Sequence, residues 1–448
     1  MIVDTVLTNA KAYLKREILD CNIAIEKGRI FKIGREAHMP KADETTNLRN
    51  LLVLPGLIDA HVHLRDEGKA YKEDFYTGTS AAAAGGVTTV LDMPNNDPVT
   101  MSVETLKNRM QTAKKKTVVN IGFYSEFPNN LEEAEGIVAE GALGLKLFMA
   151  QQIGGLNIDN DKAIQEAFTK TSELSIPVAV HAEDKATLLA AETKLKKTKH
   201  HNAAAFLKAH SEQVELKAIE RLLKLNAKAR THLHFCHLTT KEGLQAITKA
   251  KKAGSTVTCE VTPNHLLLSS ADFERYGALL TIMPPLRSSS HIESLWKGIA
   301  EGWVDTLGSD HAPHTLEEKV TNDIWEAKAG LPSVETTLPL MLTMARKNRL
   351  SIATLVQLLA ERPAEIFGLN DRGKLEQGKK ADLVAVDFNR KFMIDASKFH
   401  SKAKFSPYNG WEAQGMPVKT FVNGLLVMDE QEILVKPGSG ELTRRGST

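Results

Sequence analysis

Cysteine is scarce: the chain has three in 448 residues. That is too few to staple a protein of this length, so a disulfide scaffold is excluded and a reducing compartment is expected. Charge of one sign is missing as well. Lys plus Arg number 57 against 55 Asp plus Glu, a net charge of +2, whereas a dedicated nucleic-acid binder concentrates basic surface. No apolar run reaches the roughly 18 residues of a membrane-spanning helix. The chain does not open on a basic start followed by an apolar stretch, and it holds no low-complexity linker or fixed-period repeat. The expectation is a cytoplasmic protein that binds neither membrane nor nucleic acid. What remains is ordinary globular composition, 42% apolar and 25% charged, in a chain longer than a single core usually serves. One large domain and one smaller are therefore expected. Histidine, at 15 residues, far outnumbers cysteine, so a transition-metal site here would be built from imidazole and carboxylate.

The texture changes twice along the chain. The first fifty residues (IVDTVLTNAKAYL, ILDCNIAIEKG, GRIFKIGR) and the last seventy (ADLVAVDF, PVKTFVNGLLVMDE) are short β-branched runs separated by turn residues. Between them apolar strands such as VTTVLDM, ALGLKLFM and STVTCEVT alternate with amphipathic helices. In the helix EQVELKAIERLLKLN, Leu216, Ile219, Leu222 and Leu223 recur at helical spacing, opposite Glu215, Lys217 and Arg221, which are expected to be solvated. Repeated strand–helix alternation predicts an α/β protein: a (β/α)8 TIM-type barrel over residues 54–374. Both chain ends, 1–53 plus 375–448, would join as a small composite β-sandwich domain. The lysine-rich stretch 195–199, with His200 and His201 after it, reads as a solvated helix end.

The strongest chemical signal is PGLIDAHVHLRD, Pro55 to Asp66. Residues two apart on a strand point the same way, so His61 and His63 project together from the end of a buried strand, where barrels place their chemistry. Such a pair suits a shared metal. Three later strands deliver a ligand type at the same end: IPVAVHAED at His181, THLHFCHLTT at His237 and WVDTLGSDHAPH at Asp310. Four matching strand ends favour a metal centre over four unrelated structural residues. Lys146, inside the apolar run GALGLKLFM, either reaches water from a strand end or, as a neutral buried amine, takes up CO₂ to become a carbamate. Cys236 and Cys259 read as buried strand residues, Cys236 facing away from His237, and no cysteine is expected to act as a nucleophile.

The ordered set HVHLR, YKEDFYTGTSAAAAGGVTTVLDMPNNDP, GLKLFM, HAED, HFCHL, TPNHLLLS, MPPLR, SDHAPHTLEEK and GLPSVETTLPLML resembles the cyclic amidohydrolase superfamily over essentially the whole chain, and within it the class I dihydroorotases. The resemblance implies two zinc ions per subunit. His61, His63 and Asp310 would hold one, His181 and His237 the other, and a carboxylated Lys146 would bridge them. It implies the reversible cyclisation of N-carbamoyl-L-aspartate to (S)-dihydroorotate and water, a step of pyrimidine biosynthesis, with Asp310 accepting and returning a proton. It also implies a small-molecule substrate whose carboxylate is bound by Arg65, Asn95 and His314 beside His63. The family admits a homodimer and, in some lineages, an association with aspartate carbamoyltransferase.

Allantoinases and hydantoinases (dihydropyrimidinases) share much of this pattern but take neutral rings, and a scaffold relative would have lost ligands, all of which are present here. Substrate charge separates the first two groups from the dihydroorotases: a guanidinium two residues beyond His63 suits a carboxylate. The alternative for Arg65 is a salt bridge to Asp66 or Glu73. The chain departs from the family at Asp66 and Glu67, which stand where a Glu-Pro pair precedes the glycine, at Asn96, and at Met283, where relatives place a polar substrate contact; Arg287 is the candidate to supply it instead. His265, Asn264 and His311 are pocket candidates with structural alternatives.

Overall fold

The computed structural model describes residues 2–198 and 200–446. Its centre is a sheet of eight parallel strands in sequential order: β1 (Leu57–Val62), β2 (Val87–Asp92), β3 (Asn120–Glu126), β4 (Gly144–Phe148), β5 (Val178–His181), β6 (Leu233–Phe235), β7 (Val257–Val261) and β8 (Thr306–Leu307). Nearly every residue of these strands is buried, as expected when helices cover one face and side chains fill the other. The sheet closes just past β8: Val62 and His311 form a parallel bridge, and His63 N donates to His311 O at 2.8 Å. The expected barrel is therefore present, with its C-terminal rim assembled from β1 and the segment following β8.

The two chain ends meet in a nine-stranded mixed sheet. Ile2–Leu14, Glu17–Glu26, Arg29–Gly34, Lys41–Asn47 and Leu52–Pro55 come from the first sixty residues, and Leu383–Met393, Glu412–Val422, Leu425–Asp429 and Glu432–Ile433 from the last seventy. The seam is an antiparallel pairing of Leu52–Pro55 with Leu383–Val386. A separate apolar core including Leu7, Ile23, Val53, Leu383 and Phe421 lies against this sheet. Past the sheet, the chain returns to the barrel: Leu442 bridges Ile121 at the start of β3, and Thr443 N donates to Ile121 O at 2.7 Å. The approach admits only glycine at 440, since a Cβ there would lie 2.0 Å from Val119 O. No helix among the described residues is long and apolar enough to cross a membrane.

The helix Glu212–Leu225 differs from its sequence pattern in one informative way. Its buried stripe is Val214, Glu215, Ala218, Ile219, Leu222 and Leu225, while Leu216 and Leu223 are only half-buried. Glu215, expected in solvent, lies inside because its Oε1 accepts from Thr239 N at 2.9 Å and from Thr239 Oγ1 at 3.1 Å, which offsets the cost of burial. The basic stretch does end a helix, Lys185–Lys197, with Lys194, Lys196 and Lys197 in its last turn, the favoured sign at a C-terminus. Lys199 lies outside the described residues.

Phe421, 2% exposed in the core of the mixed sheet, gives a test of that domain apart from the barrel. Phe421→Ala should cost about 3–5 kcal/mol in denaturant unfolding, with bound metal per folded chain unchanged.

Candidate metal centre

Local backbone geometry aims the side chains at the rim. Pairing of β1 with β2 is broken between Asp59 and Val62, a type of irregularity that re-aims side chains. Arg65, His237 and Asp310 all adopt the left-handed region, with φ of 59°, 34° and 46°. Such conformations are costly for residues other than glycine and persist where surrounding structure enforces them, often at functional sites.

The side chains then converge. Asp310 Oδ1 lies 3.4 Å from His61 Nε2 and 3.2 Å from His63 Nε2, and the three offer ligand atoms all within 4.8 Å of one another. Across the mouth, His181 Nδ1 and His237 Nε2 face each other at 3.1 Å. The His61 and His237 rings, 5.2 Å apart by centroid, join the halves. Lys146, completely buried on β4, has its Nζ 3.2 Å from Cys236 Sγ and 5.0 Å from the Phe148 ring centre. Among the described residues it has no carboxylate partner within ion-pair distance. The expected ligand residues thus gather at one end of the barrel, with Lys146 joined to the histidine cluster through Cys236.

The outer ring atoms show whether these residues suit a metal. His61 Nδ1 donates to Glu260 Oε1 at 2.7 Å, His63 Nδ1 to Asn95 Oδ1 at 2.7 Å, and His181 Nε2 to Glu183 Oε2 at 2.8 Å. Glu183 is held in turn by His210 Nδ1 at 2.7 Å. Three imidazoles are therefore fixed through one nitrogen while the other points inward, the arrangement that orients histidine ligands. Burial pulls His63 down to about 4 and His237 well below its usual range, keeping both neutral as metal ligation requires. Burial opposes a charge on His61 too, but Glu260 and Asp310 outweigh it and raise its pKa, so metal binding there would displace a proton. The donor set fits a transition metal of the zinc type.

Asp310 is pushed up by burial, yet His61 and His63 outweigh that and hold it below its ordinary value. It is an anion able to accept a proton. Arg65 is 7% exposed, with Nε donating to Pro313 O at 3.2 Å and Nη2 lying 3.2 Å from His314 Nε2. Burial lowers its pKa to about 10 against the pull of Asp310, so it stays a cation. The alternative salt bridge does not form. Asp66 pairs with Lys116 at 2.7 Å, Glu73 binds Thr77, Ser401 and His311, and no carboxylate among the described residues lies within ion-pair distance of Arg65. Asn95 spends its Oδ1 on His63, leaving its amide N–H groups free to donate.

One expectation is corrected, and several residues with two readings take the structural one. Cys236 does not face away from the centre: its Sγ meets Lys146 and lies within 4.8 Å of ligand atoms of His61 and Glu260. Strand β6 ends at Phe235, so alternation no longer governs Cys236 and His237. His265 is structural, its nitrogens engaged by Thr262 Oγ1 at 2.8 Å and Pro284 O at 3.0 Å. Asn264 bonds Ser333 and Tyr408, and His311 bonds the Ser333 backbone and Glu73. Met283 is 37% exposed and supplies no polar contact. Arg287 commits Nε to Thr239 and Nη1 to His210 O, leaving Nη2 alone unpartnered. Glu260 and Glu183 were not anticipated, although a single acid inside the apolar strand VTCEV was the available signal.

Glu260→Gln keeps the shape at His61 but removes the anion. It should weaken metal binding roughly 10- to 100-fold, measured by competition with a chelator.

Known proteins carry the same architecture. The amidohydrolase family model matches residues 52–427. A dihydroorotase of Methanosarcina acetivorans is 37% identical over 98% of this chain and 95% of its own length. An L-hydantoinase of Paenarthrobacter aurescens is 32% identical over 99% and 98%. The solved L-hydantoinase (dihydropyrimidinase) from Arthrobacter aurescens superposes with a TM-score of 0.95 at 32% identity, covering 99% of this chain and all of that one. With the ligand set at the rim of a closed barrel, these matches establish that the chain belongs to the amidohydrolase family.

Proposed function

We propose that this chain catalyses the dihydroorotase reaction, the reversible cyclisation of N-carbamoyl-L-aspartate to (S)-dihydroorotate and water in pyrimidine biosynthesis. The observation that carries the reading is Arg65: a buried cation without a carboxylate partner among the described residues, beside His63 and Asp310 and next to His314. An uncompensated buried charge is costly, and an anionic substrate supplies the missing partner. Dihydroorotate has a carboxylate for this position; the rings of hydantoin and dihydrouracil do not. Several dihydroorotases at 34–37% identity support the choice. The L-hydantoinase relative, and a Met283 that brings no polar group, support a hydantoinase or dihydropyrimidinase as the second reading; an allantoinase shares the neutral-ring class.

In this reading His61, His63 and Asp310 would hold one zinc ion and His181 and His237 a second, with Lys146, as a carboxylated lysine, a ligand shared between them. Carboxylation would convert a buried lysine that has no ion-pair partner among the described residues into an anion that bound metal would neutralise. Bound zinc lowers the pKa of a water molecule and polarises the amide carbonyl. Arg65, the amide of Asn95 and His314 fix the substrate carboxylate and so orient the ring over Asp310. In hydrolysis the oxygen of water bonds to the amide carbon and the carbon–nitrogen bond breaks. Asp310 takes the proton from water and delivers it to the departing ring nitrogen; cyclisation runs the same transfers backwards. The reading also carries a cytoplasmic location, a homodimer and an association with aspartate carbamoyltransferase. It divides the chain into 1–53 plus 375–448 and 54–374, following the two sheets except at Leu54 and Pro55.

Asp310→Asn should retain metal while losing on the order of 10²–10⁴ in turnover; unchanged turnover would remove its proton-transfer role. Arg65→Met tests the substrate. It should raise KM for dihydroorotate by roughly tenfold or more, from the loss of a charged hydrogen bond, with zinc content and activity toward dihydrouracil preserved. Equal losses on both rings would contradict the carboxylate role.

A further inference from the structure

His314 stands between two cations and two oxygen acceptors, one of each at each ring nitrogen. Nδ1 lies 3.0 Å from Lys72 Nζ and 3.3 Å from Glu318 Oε2. Nε2 lies 3.1 Å from Ala329 O and 3.2 Å from Arg65 Nη2. Burial, with Arg65 and Lys72 alongside, depresses the imidazole pKa and keeps the ring neutral. A neutral imidazole has one N–H and one lone pair, so only two assignments are self-consistent. In one, Nδ1 accepts from Lys72 and Nε2–H donates to Ala329 O. In the other, Nδ1–H donates to Glu318 and Nε2 accepts from Arg65.

The two tautomers differ in what they offer a ligand. The second ties up Arg65 Nη2 and presents no ring proton on the side where Arg65 lies. The first frees Arg65 Nη2 and places a second donor beside it, Nε2–H, which an incoming carboxylate would take over from Ala329 O. A carboxylate accepts only, so it is bound by Arg65 and His314 together in the first tautomer alone. Lys72 is placed to select it. It is 7% exposed, its contact to Nδ1 is shorter than that of Glu318, and its ion pair with Glu318 Oε1 at 2.8 Å holds the ammonium in position. Tyr71 OH braces the same Glu318 oxygen at 3.1 Å.

We propose that Lys72 is a positioning residue for the anion site: by donating to Nδ1 of His314 it sets the ring proton on Nε2, making His314 a donor that joins Arg65 on the substrate carboxylate. This rests on the reading of Arg65 given above. Lys72 does not touch substrate; it acts through the tautomer of its neighbour.

The test uses the zinc-loaded enzyme and two readouts. Nitrogen-15 NMR of the His314 ring should find the proton on Nε2 in the wild type and in Lys72→Arg, and on Nδ1 in Lys72→Met. Steady-state kinetics of Lys72→Met should show KM for dihydroorotate raised about tenfold, the scale of a charged hydrogen bond, with kcat largely retained and KM for dihydrouracil unchanged. Lys72→Arg should recover most of the lost affinity. A wild-type proton on Nδ1, an unchanged KM for dihydroorotate in Lys72→Met, or an equal rise for dihydrouracil would overturn the proposal. Failure of the wild type to turn over dihydroorotate would refute the substrate reading instead, and the NMR tautomer would still decide the role of Lys72.

Discussion

The site depends on how the barrel closes. The parallel bridge of Val62 to His311, with the hydrogen bond from His63 N to His311 O, joins β1 to the segment after β8. That one junction sets His61 and His63 against Asp310, and two to three residues further on sets Arg65 against Pro313 and His314. Metal ligation and anion recognition are thus two consequences of one backbone pairing, separated along the chain by about one turn of loop on either side. A shift of register there would displace both. Glu260 reinforces the junction from β7: it holds His61 Nδ1 through one oxygen, and Gly308 leaves room for the other, since a Cβ at 308 would lie 2.2 Å from Glu260 Oε2.

The buried charges follow from the same arrangement. Three of the four clustered imidazoles have their proton placed from outside the cluster, by Glu260, Asn95 and Glu183. What is left inside is a set of inward nitrogens, an ionised Asp310 and a lysine with no ion-pair partner. Arg65, a short distance away, is a buried cation with no ion-pair partner among the described residues. The interior therefore offers a place for metal and a place for an anion, although the net charge of the whole chain is close to zero. Attraction for substrate is local.

Much of this was legible in the sequence, for physical reasons that differ by residue. The barrel strands are contiguous apolar runs, and five of them, ending near His61, Lys146, His181, His237 and Asp310, carry a ligand type at the same end, so periodicity and position sufficed. The mixed sheet was visible as β-branched segments at both termini, but its seam, Leu52–Pro55 against Leu383–Val386, is a long-range pairing that local patterns do not encode. Cys236 was misplaced because strand alternation was carried one residue past the end of β6, into a backbone that turns left-handed at His237. Glu215 was misassigned because a helical pattern counts carboxylates as solvated, whereas this one is satisfied by Thr239. His265 and His311 carry chemistry-bearing side chains that the fold spends on its own hydrogen bonds, which no sequence pattern distinguishes from a pocket role.

The architecture alone does not separate an anionic from a neutral substrate, because the L-hydantoinase fold and this one coincide at a TM-score of 0.95. The distinction lies with Arg65 and the residues that orient it. The most direct measurement is therefore kcat/KM of the zinc-loaded wild-type enzyme on dihydroorotate beside dihydrouracil and allantoin. The account predicts a clear preference for dihydroorotate, together with cyclisation of carbamoyl aspartate in the reverse direction. Preference for either neutral ring would contradict it.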